Sequence, residues 1–364
     1  MSDILFQPYQ QGALQLKNKV VMGPMTRSRA IDNLANEIMK TYYEQRSEAG
    51  LIITEGVSPS PNGIGYPRIP AVFSEKQAKT WKEVTEAVQA KGAKIFMQVM
   101  HTGRVSHPDN LAEGGEVLAP SAIAPSEPFS QMYVDGQGML DIPTPKAMSL
   151  EDIQQAVKEY AESARLAVEV GGFDGIELHG ANGYLINQFL NANSNQRTDE
   201  YGGNAENRSR FLYEVVEACI DAIGSDKVAV RISPYGVFNS MGEFDGIEEQ
   251  FTAIASKLQA YGIAYLHTAD MSAVTNVPVP QSMKQKLREN FKGTLILNGG
   301  YNKERATEDL EAGNGDLICF ASSFIANPDL VTRMKEDLEL SQPNQDTFYT
   351  PGPEGYTDYP KANS

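Results

Sequence analysis

Eight times along this chain a short apolar run gives way to a stretch with helical period, and few folds accommodate that rhythm. The runs at 20–25, 51–55, 94–100, 173–178, 228–232, 263–267, 294–298 and 316–320 read as buried strands. Between them lie stripes such as Ala78, Trp81, Val84 and Val88, or Phe211, Leu212, Val215, Val216, Cys219 and Ile223, at the spacing of one helix face. Ser74 with Gln77 and Ser149 with Asp152 are spaced as capping boxes, Asn302 opens a short helix, and Asn327-Pro328 is placed to cap the last one. Glycines at 50, 92, 171–172, 224, 262 and 313 mark helix ends. Eight strand–helix units predict an α/β fold, a closed (β/α)8 TIM barrel forming one domain over residues 1–364. The competing architecture is a doubly wound open sheet. Against it, no GxGxxG follows the first strand, no GxxxxGK[ST] occurs, and no break in composition divides the chain.

Two segments depart from the rhythm. Residues 4–18 carry two apolar runs around Gln10-Gln11-Gly12 and predict an N-terminal hairpin. Residues 101–148 contain prolines at 108, 120, 125, 128, 143 and 145 with little helical period, which predicts a lid or small subdomain inserted after the third strand.

Composition narrows the partners. A net charge of -16 opposes binding to nucleic acid or to an anionic membrane surface. No apolar stretch approaches the ~20 residues of a membrane helix, and Met1 to Gln11 has neither a basic region nor an apolar core, so a cytoplasmic protein is expected. Small molecules are the expected partners of a monomer or weak homo-oligomer. Cys219 and Cys319 sit in apolar patterns and read as reduced core residues; the four histidines lack metal-site spacing, so no metal is expected.

In such barrels catalysis sits at the C-terminal ends of the strands. Those ends carry Pro24-Met25-Thr26, Glu55-Gly56, Gln98, the stretch His179-Gly180-Ala181-Asn182-Gly183-Tyr184, Arg231, Gly299-Gly300 and Ala321-Ser322. Imidazole and amide can donate to an oxygen that gains negative charge, and a phenol can deliver a proton. Strand parity puts Glu177 and His179 on one face, with Ile176 and Leu178 on the other. Blander readings stand beside these: an ion pair of Arg231 with Glu177, a strand-end hydrogen bond for Gln98, and a simple tight turn at Gly299-Gly300. An amide, an arginine and a glycine pair around a barrel mouth suit a flat polar cofactor with a phosphate tail, and the absence of a strand-end lysine or metal set favours organic redox chemistry.

Longer motifs are more specific. Pro24-Met25-Thr26-Arg27, Gly103-Arg104, His179 to Leu185, Gln196-Arg197-Thr198-Asp199-Glu200-Tyr201-Gly202-Gly203, Ala326-Asn327-Pro328-Asp329-Leu330 and Gly355 to Pro360 resemble the old yellow enzyme family essentially end to end, in the style of bacterial members that reduce N-ethylmaleimide. The resemblance implies an NAD(P)H-consuming ene reductase with tightly but non-covalently bound FMN, acting on activated alkenes, with nitro compounds and nitrate esters as further acceptors. It implies that Thr26, Gln98 and Arg231 hold the flavin ring, with Pro24, Met25 and Gly56 lining it through backbone. Gly299, Gly300, Ala321 and Ser322 take the phosphate corner, and Tyr349 the dimethylbenzene edge. His179 and Asn182 take the substrate carbonyl, Tyr184 protonates the α-carbon, and Tyr66 and Met100 shape the pocket.

Two positions depart from the family pattern. Ala321-Ser322 stands where Gly-Arg is usual, which removes a bidentate phosphate grip, and Met100 stands where tryptophan is common. The rival readings are a flavin-free barrel lyase or aldolase and a flavin-binding barrel with little turnover.

Overall fold

The computed structural model describes residues 4–362. Eight parallel strands close on themselves: β1 Val20–Met22, β2 Leu51–Val57, β3 Lys94–Val99, β4 Gly175–Gly180, β5 Val228–Ile232, β6 Tyr265–Thr268, β7 Thr294–Asn298 and β8 Leu317–Phe320. Each strand pairs with its neighbours in chain order, and β8 returns to β1. The eight helices that follow them are α1 Glu37–Gln45, α2 Glu75–Gln89, α3 Leu150–Glu169, α4 Ala205–Ile223, α5 Ile247–Tyr261, α6 Gln281–Asn290, α7 Lys303–Glu311 and α8 Leu330–Lys335. This is the (β/α)8 barrel expected, and its closure excludes the open sheet.

Alternation along each strand builds two cores. Outward residues such as Ile95, Met97, Ile176, Leu178, Val228 and Val230 pack under the helices in the larger apolar cluster. Inward residues Val21, Leu51, Ile53, Phe96, Tyr265, Ile296 and Leu317 fill the lower barrel together with Leu14 and Leu16. Leu14 and Leu16 come from the predicted N-terminal hairpin, in which Tyr9–Gln11 pairs antiparallel with Leu14–Leu16 around Gly12 at φ +56°. The hairpin therefore plugs the end of the barrel opposite the strand C-termini. The reading of Met1 to Gln11 as free of a targeting signal falls, for residues 1–3, outside the described residues.

Helix starts follow the cap residues with one exception. Ser149 and Asp152 form a reciprocal capping box on α3, and Asn302 accepts from Arg305 N–H at the start of α7. Ser74 accepts from Gln77 N–H, but the Gln77 side chain accepts from Phe73 N–H rather than completing the box. Asn327 does not cap the last helix: Asp329 is the residue ahead of α8, and the Asn327 amide is engaged by Ser323 O and by the backbone of Ser341. The reason is local, since a five-residue helix, Ser322–Ala326, intervenes after β8 and ends at Asn327.

Residues 101–148 run over the barrel mouth. They contain a hairpin, Gln131–Val134 with Gly138–Asp141, and a short parallel pairing of Leu118–Ala119 with Lys146–Ala147. Arg197 ties this segment down by donating to Pro120 O and Met148 O, while its remaining guanidinium nitrogens hold Asp199. A second tie runs from the chain's end. Arg27 donates to Gly355 O and Phe348 O, Arg29 to Thr347 O and Glu354 O, and Tyr356 stacks on Tyr42 at 4.0 Å between ring centres. Buried arginines are costly unless their donors are satisfied, and here backbone carbonyls satisfy them. Among the described residues no helix is long and apolar enough to cross a membrane.

Candidate active site

A cavity of about 980 Å³ opens at the C-terminal ends of the strands. It lies at the upper end of the size range for small-molecule and cofactor sites. Pro24, Thr26, Gly56, Gln98, His179, Asn182, Tyr184 and Arg231 line it, as do Tyr66, Met100 and Tyr349. Of the residues singled out in the sequence, these eleven are brought together.

The others stand apart from the cavity wall. Met25 is half-buried and its side chain packs against the large outer core. Gly299 and Gly300, at φ +144° and +62°, follow β7, where a Cβ on Gly299 would meet the Asp270 side chain at 2.8 Å. Ala321 and Ser322 follow β8, and Ser322 is exposed beside a separate cavity of about 310 Å³ that Ser323, Asn327, Ser341 and Gln345 also line.

The stretch after β4 is held in one conformation by its neighbours. Asn182 adopts φ +57°; its N–H donates to Ser233 Oγ at 2.9 Å and its carbonyl accepts from Asn239 Nδ2 at 2.9 Å. Gly183 lies at φ +78°, where a side chain would press on Asn239 and on Phe238 O. The observed strand extends through His179 and Gly180, two residues beyond the apolar run, because both still pair with Arg231 and Ile232 of β5.

These contacts fix what each group can do. His179 Nδ1 accepts from Ala181 N–H at 3.3 Å, so the ring proton resides on Nε2. Burial holds the imidazole well below its usual pKa, and the Arg231 and His267 charges act in the same direction, so His179 is a neutral donor. Asn182 Oδ1 is buried without a protein partner. Burial pushes the Tyr184 phenol up to about 12, and its hydroxyl lies 3.1 Å from that of Tyr66. The His179 and Tyr184 rings meet edge to face at 4.8 Å. A neutral imidazole N–H, a carboxamide and a protonated phenol therefore converge on one wall.

The strands on either side of β4 add a polar layer inside the barrel, with Arg231 in register with His179 and Gln98 with Glu177. Gln98 Nε2 donates to Glu177 Oε1 at 2.8 Å, so the expected strand-end hydrogen bond exists, yet the amide still lines the cavity. Among the described residues Arg231 makes no ion pair with Glu177. Its Nη2 reaches Asn298 Oδ1 at 3.3 Å and its Nε is buried without a partner. The second oxygen of Glu177 instead faces His267 Nδ1 at 2.8 Å. Sequence reasoning assigned His267 no part, although its two-residue spacing from inward Tyr265 was a usable signal. It also missed the mouth: Phe129, Met132, Tyr133, Met139, Phe238 and Met271 give the cavity an apolar vestibule.

A closed barrel whose strand ends bring a guanidinium, two carboxamides, a neutral imidazole and a phenol to one cavity is the arrangement of a cofactor-dependent redox enzyme. The model of the NADH:flavin oxidoreductase / NADH oxidase family matches residues 4–341. The chain belongs to this family, that of the old yellow enzymes. It is 38% identical over 376 residues to 12-oxophytodienoate reductase 7 of Oryza sativa subsp. japonica, covering 98% of this chain and 94% of that protein. It is also 38% identical to a probable flavin mononucleotide-dependent alkene reductase of Leishmania infantum, over 98% of this chain and 97% of the other. The structure of morphinone reductase superposes with a TM-score of 0.95 at 37% identity, covering all of this chain and 97% of that one. The protein is a flavin oxidoreductase that uses FMN and NAD(P)H, which sets aside the lyase alternative.

Proposed function

We propose that this enzyme reduces the activated C=C bond of enones and maleimides, that nitro compounds and nitrate esters are further acceptors, and that Tyr184 is the proton donor. The observation that carries this reading is that His179, Asn182 and Tyr184 line the same cavity as Thr26, Gln98 and Arg231, with Arg231 the register partner of His179 on the neighbouring strand. The residues fit FMN: the unpartnered Arg231 Nε and the half-used Gln98 amide offer donors and an acceptor to a flat polar ring. Thr26, Gln98 and Arg231 would hold that ring, Pro24, Met25 and Gly56 would border it through backbone, and Gly299, Gly300, Ala321 and Ser322 would face its phosphate, with Tyr349 at the outer edge. When bound, FMN supplies hydride to the β-carbon of the alkene.

The remaining work falls to side chains of this chain. His179 Nε2–H and the Asn182 amide bind the carbonyl oxygen, where charge develops as the β-carbon is attacked, so they stabilise the transition state more than the bound substrate. Tyr184 then gives its proton to the α-carbon, and the Tyr66 hydroxyl, 3.1 Å away, steadies the phenol oxygen left behind. The hairpin of residues 131–141 serves as a lid whose Tyr133 and Met139, both exposed, offer an apolar landing for the substrate body. Turnover of an enone in D2O with unlabelled NAD(P)H tests this reading. One deuterium at the α-carbon is expected, and product unlabelled there would overturn it.

Two positions carry their own predictions. Ser322 offers a hydroxyl where a bidentate guanidinium is usual, so FMN is expected to dissociate on extended dialysis. Ser322→Arg is expected to tighten FMN about tenfold by flavin-fluorescence titration, the size of one added charge-assisted contact. Stoichiometric flavin after dialysis together with no gain in the variant would contradict this. Met100 is buried beside Tyr184 and Ile64, and its Sδ and Cε occupy the space that a Cβ on Gly56 would need. Met100→Trp therefore puts a larger ring on the pocket wall, and the product enantiomer ratio from a prochiral enone is expected to shift about fivefold, roughly 1 kcal/mol between orientations. An unchanged ratio on chiral chromatography would show that this wall does not orient substrate.

A further inference from the structure

Directly beneath the cavity floor lies a buried ionisable group that the chemistry above does not use. Glu177 and His267 are both 0% exposed and neither lines the cavity, whereas their neighbours Gln98 and Arg231 do. Below them the barrel is closed by Phe96 and Tyr265, whose rings lie 5.4 Å apart, so the pair is sealed from the far end.

Each oxygen of Glu177 has one assigned partner, Gln98 Nε2 at 2.8 Å and His267 Nδ1 at 2.8 Å. The first contact decides the orientation of the Gln98 amide. With one of its two N–H groups committed to Glu177, the other N–H and the carbonyl are left as a donor–acceptor pair for the cavity. That pair complements the imide end of a flavin ring, which offers a carbonyl and an N–H side by side. The second contact fixes the tautomer of His267, whose Nδ1–H points at the carboxylate while Nε2 is buried without a partner. Arg231 is adjacent in register to both His179 and His267, and its cation has no carboxylate of its own among the described residues. Glu177 is thus the buried anion of the layer from which the guanidinium rises.

A buried carboxylate held by neutral hydrogen-bond donors is weak evidence for stability, since apolar residues of the same volume can serve as well. We propose that Glu177, steadied by His267, is a positioning residue that fixes the Gln98 amide and damps the field of Arg231 at the flavin's imide end, and so sets the flavin's reduction potential. This rests on the FMN reading above. Reduction places negative charge at that end of the ring, so a carboxylate behind it makes reduction harder and its removal makes reduction easier.

The test uses the FMN-loaded enzyme and reads potential and affinity rather than turnover. Glu177→Gln keeps the shape and, by exchange of the His267 tautomer, both hydrogen bonds, but removes the charge. It is expected to shift the two-electron reduction equilibrium about tenfold toward reduced flavin, about 30 mV more positive in a dye-coupled titration, with the FMN dissociation constant changed less than about twofold. Glu177→Leu removes the anchor as well, and FMN affinity is expected to fall about tenfold. A Glu177→Gln enzyme that is yellow and titrates at the wild-type potential would overturn the proposal, whatever the leucine variant does. A wild-type chain that takes up no FMN would instead remove the flavin reading, and this inference with it.

Discussion

Tyr184→Phe is expected to lower the rate of enone reduction by about 10²- to 10⁴-fold, the usual contribution of a positioned general acid. The same variant is expected to keep the rate of flavin reduction by NAD(P)H, because in the proposed mechanism the phenol acts only when an alkene is bound. Stopped-flow measurement of the two half-reactions separates these outcomes, and an unchanged oxidative half-reaction with cyclohexenone would remove Tyr184 from the mechanism. The pH dependence follows from the same residue. Burial raises the phenol to about 12, so the protonated form that the proposed step needs persists through neutral and mildly alkaline pH. Activity that depends on this proton is lost only as pH rises toward that value, and an alkaline limb near pH 9 would not belong to Tyr184. Removing the Tyr66 partner leaves the proton in place, so the phenylalanine change at Tyr184 is the larger of the two effects.

His179→Ala carries the second large effect. Loss of one aimed donor to a developing oxyanion lowers kcat by about 10²–10³ in comparable sites. In the proposed mechanism the donor is Nε2–H of an imidazole whose Nδ1 is engaged by Ala181 N–H, which fixes the tautomer that carries the donated proton. Asn182 remains, held by Ser233 and Asn239, and keeps part of the binding. Because burial lowers the His179 pKa well below its ordinary value, the ring stays neutral as pH falls through the range where free histidine titrates. Turnover therefore shows no inflection from this residue between pH 5 and 8. An inflection near 6.5 that vanishes in His179→Ala would mean the imidazole works as a cation, contrary to this account.

The architecture was legible because barrels repeat. Each strand run ends where a helix stripe begins, and the parity that put Ile176 and Leu178 on the face away from Glu177 and His179 holds, with Ile176 and Leu178 under the helices and Glu177 inward. His179, Asn182 and Tyr184 were legible because they lie on one turn, so their convergence needs no knowledge of the rest of the fold. Contacts between distant strands were not. The pairing of Glu177 with His267 spans 90 residues and depends on how inward side chains of β4 and β6 share a layer, which local pattern does not encode. The Asn327 cap failed for a related reason: an asparagine before proline satisfies a cap pattern, but here a short helix puts its amide against Ser341 instead. The hairpin at the mouth is only four residues per strand and alternates too briefly to stand out in a proline-rich segment. The proposed phosphate corner consists of backbone and a hydroxyl, groups that leave little signature in sequence.

The most direct test of the account is the colour of the purified protein. Protein purified with FMN is expected to be yellow, to bleach when NADPH or NADH is added without oxygen, and to recover its absorption band when N-ethylmaleimide follows. Bleaching that no alkene reverses would contradict the ene reductase reading and leave a flavin-binding barrel with little turnover.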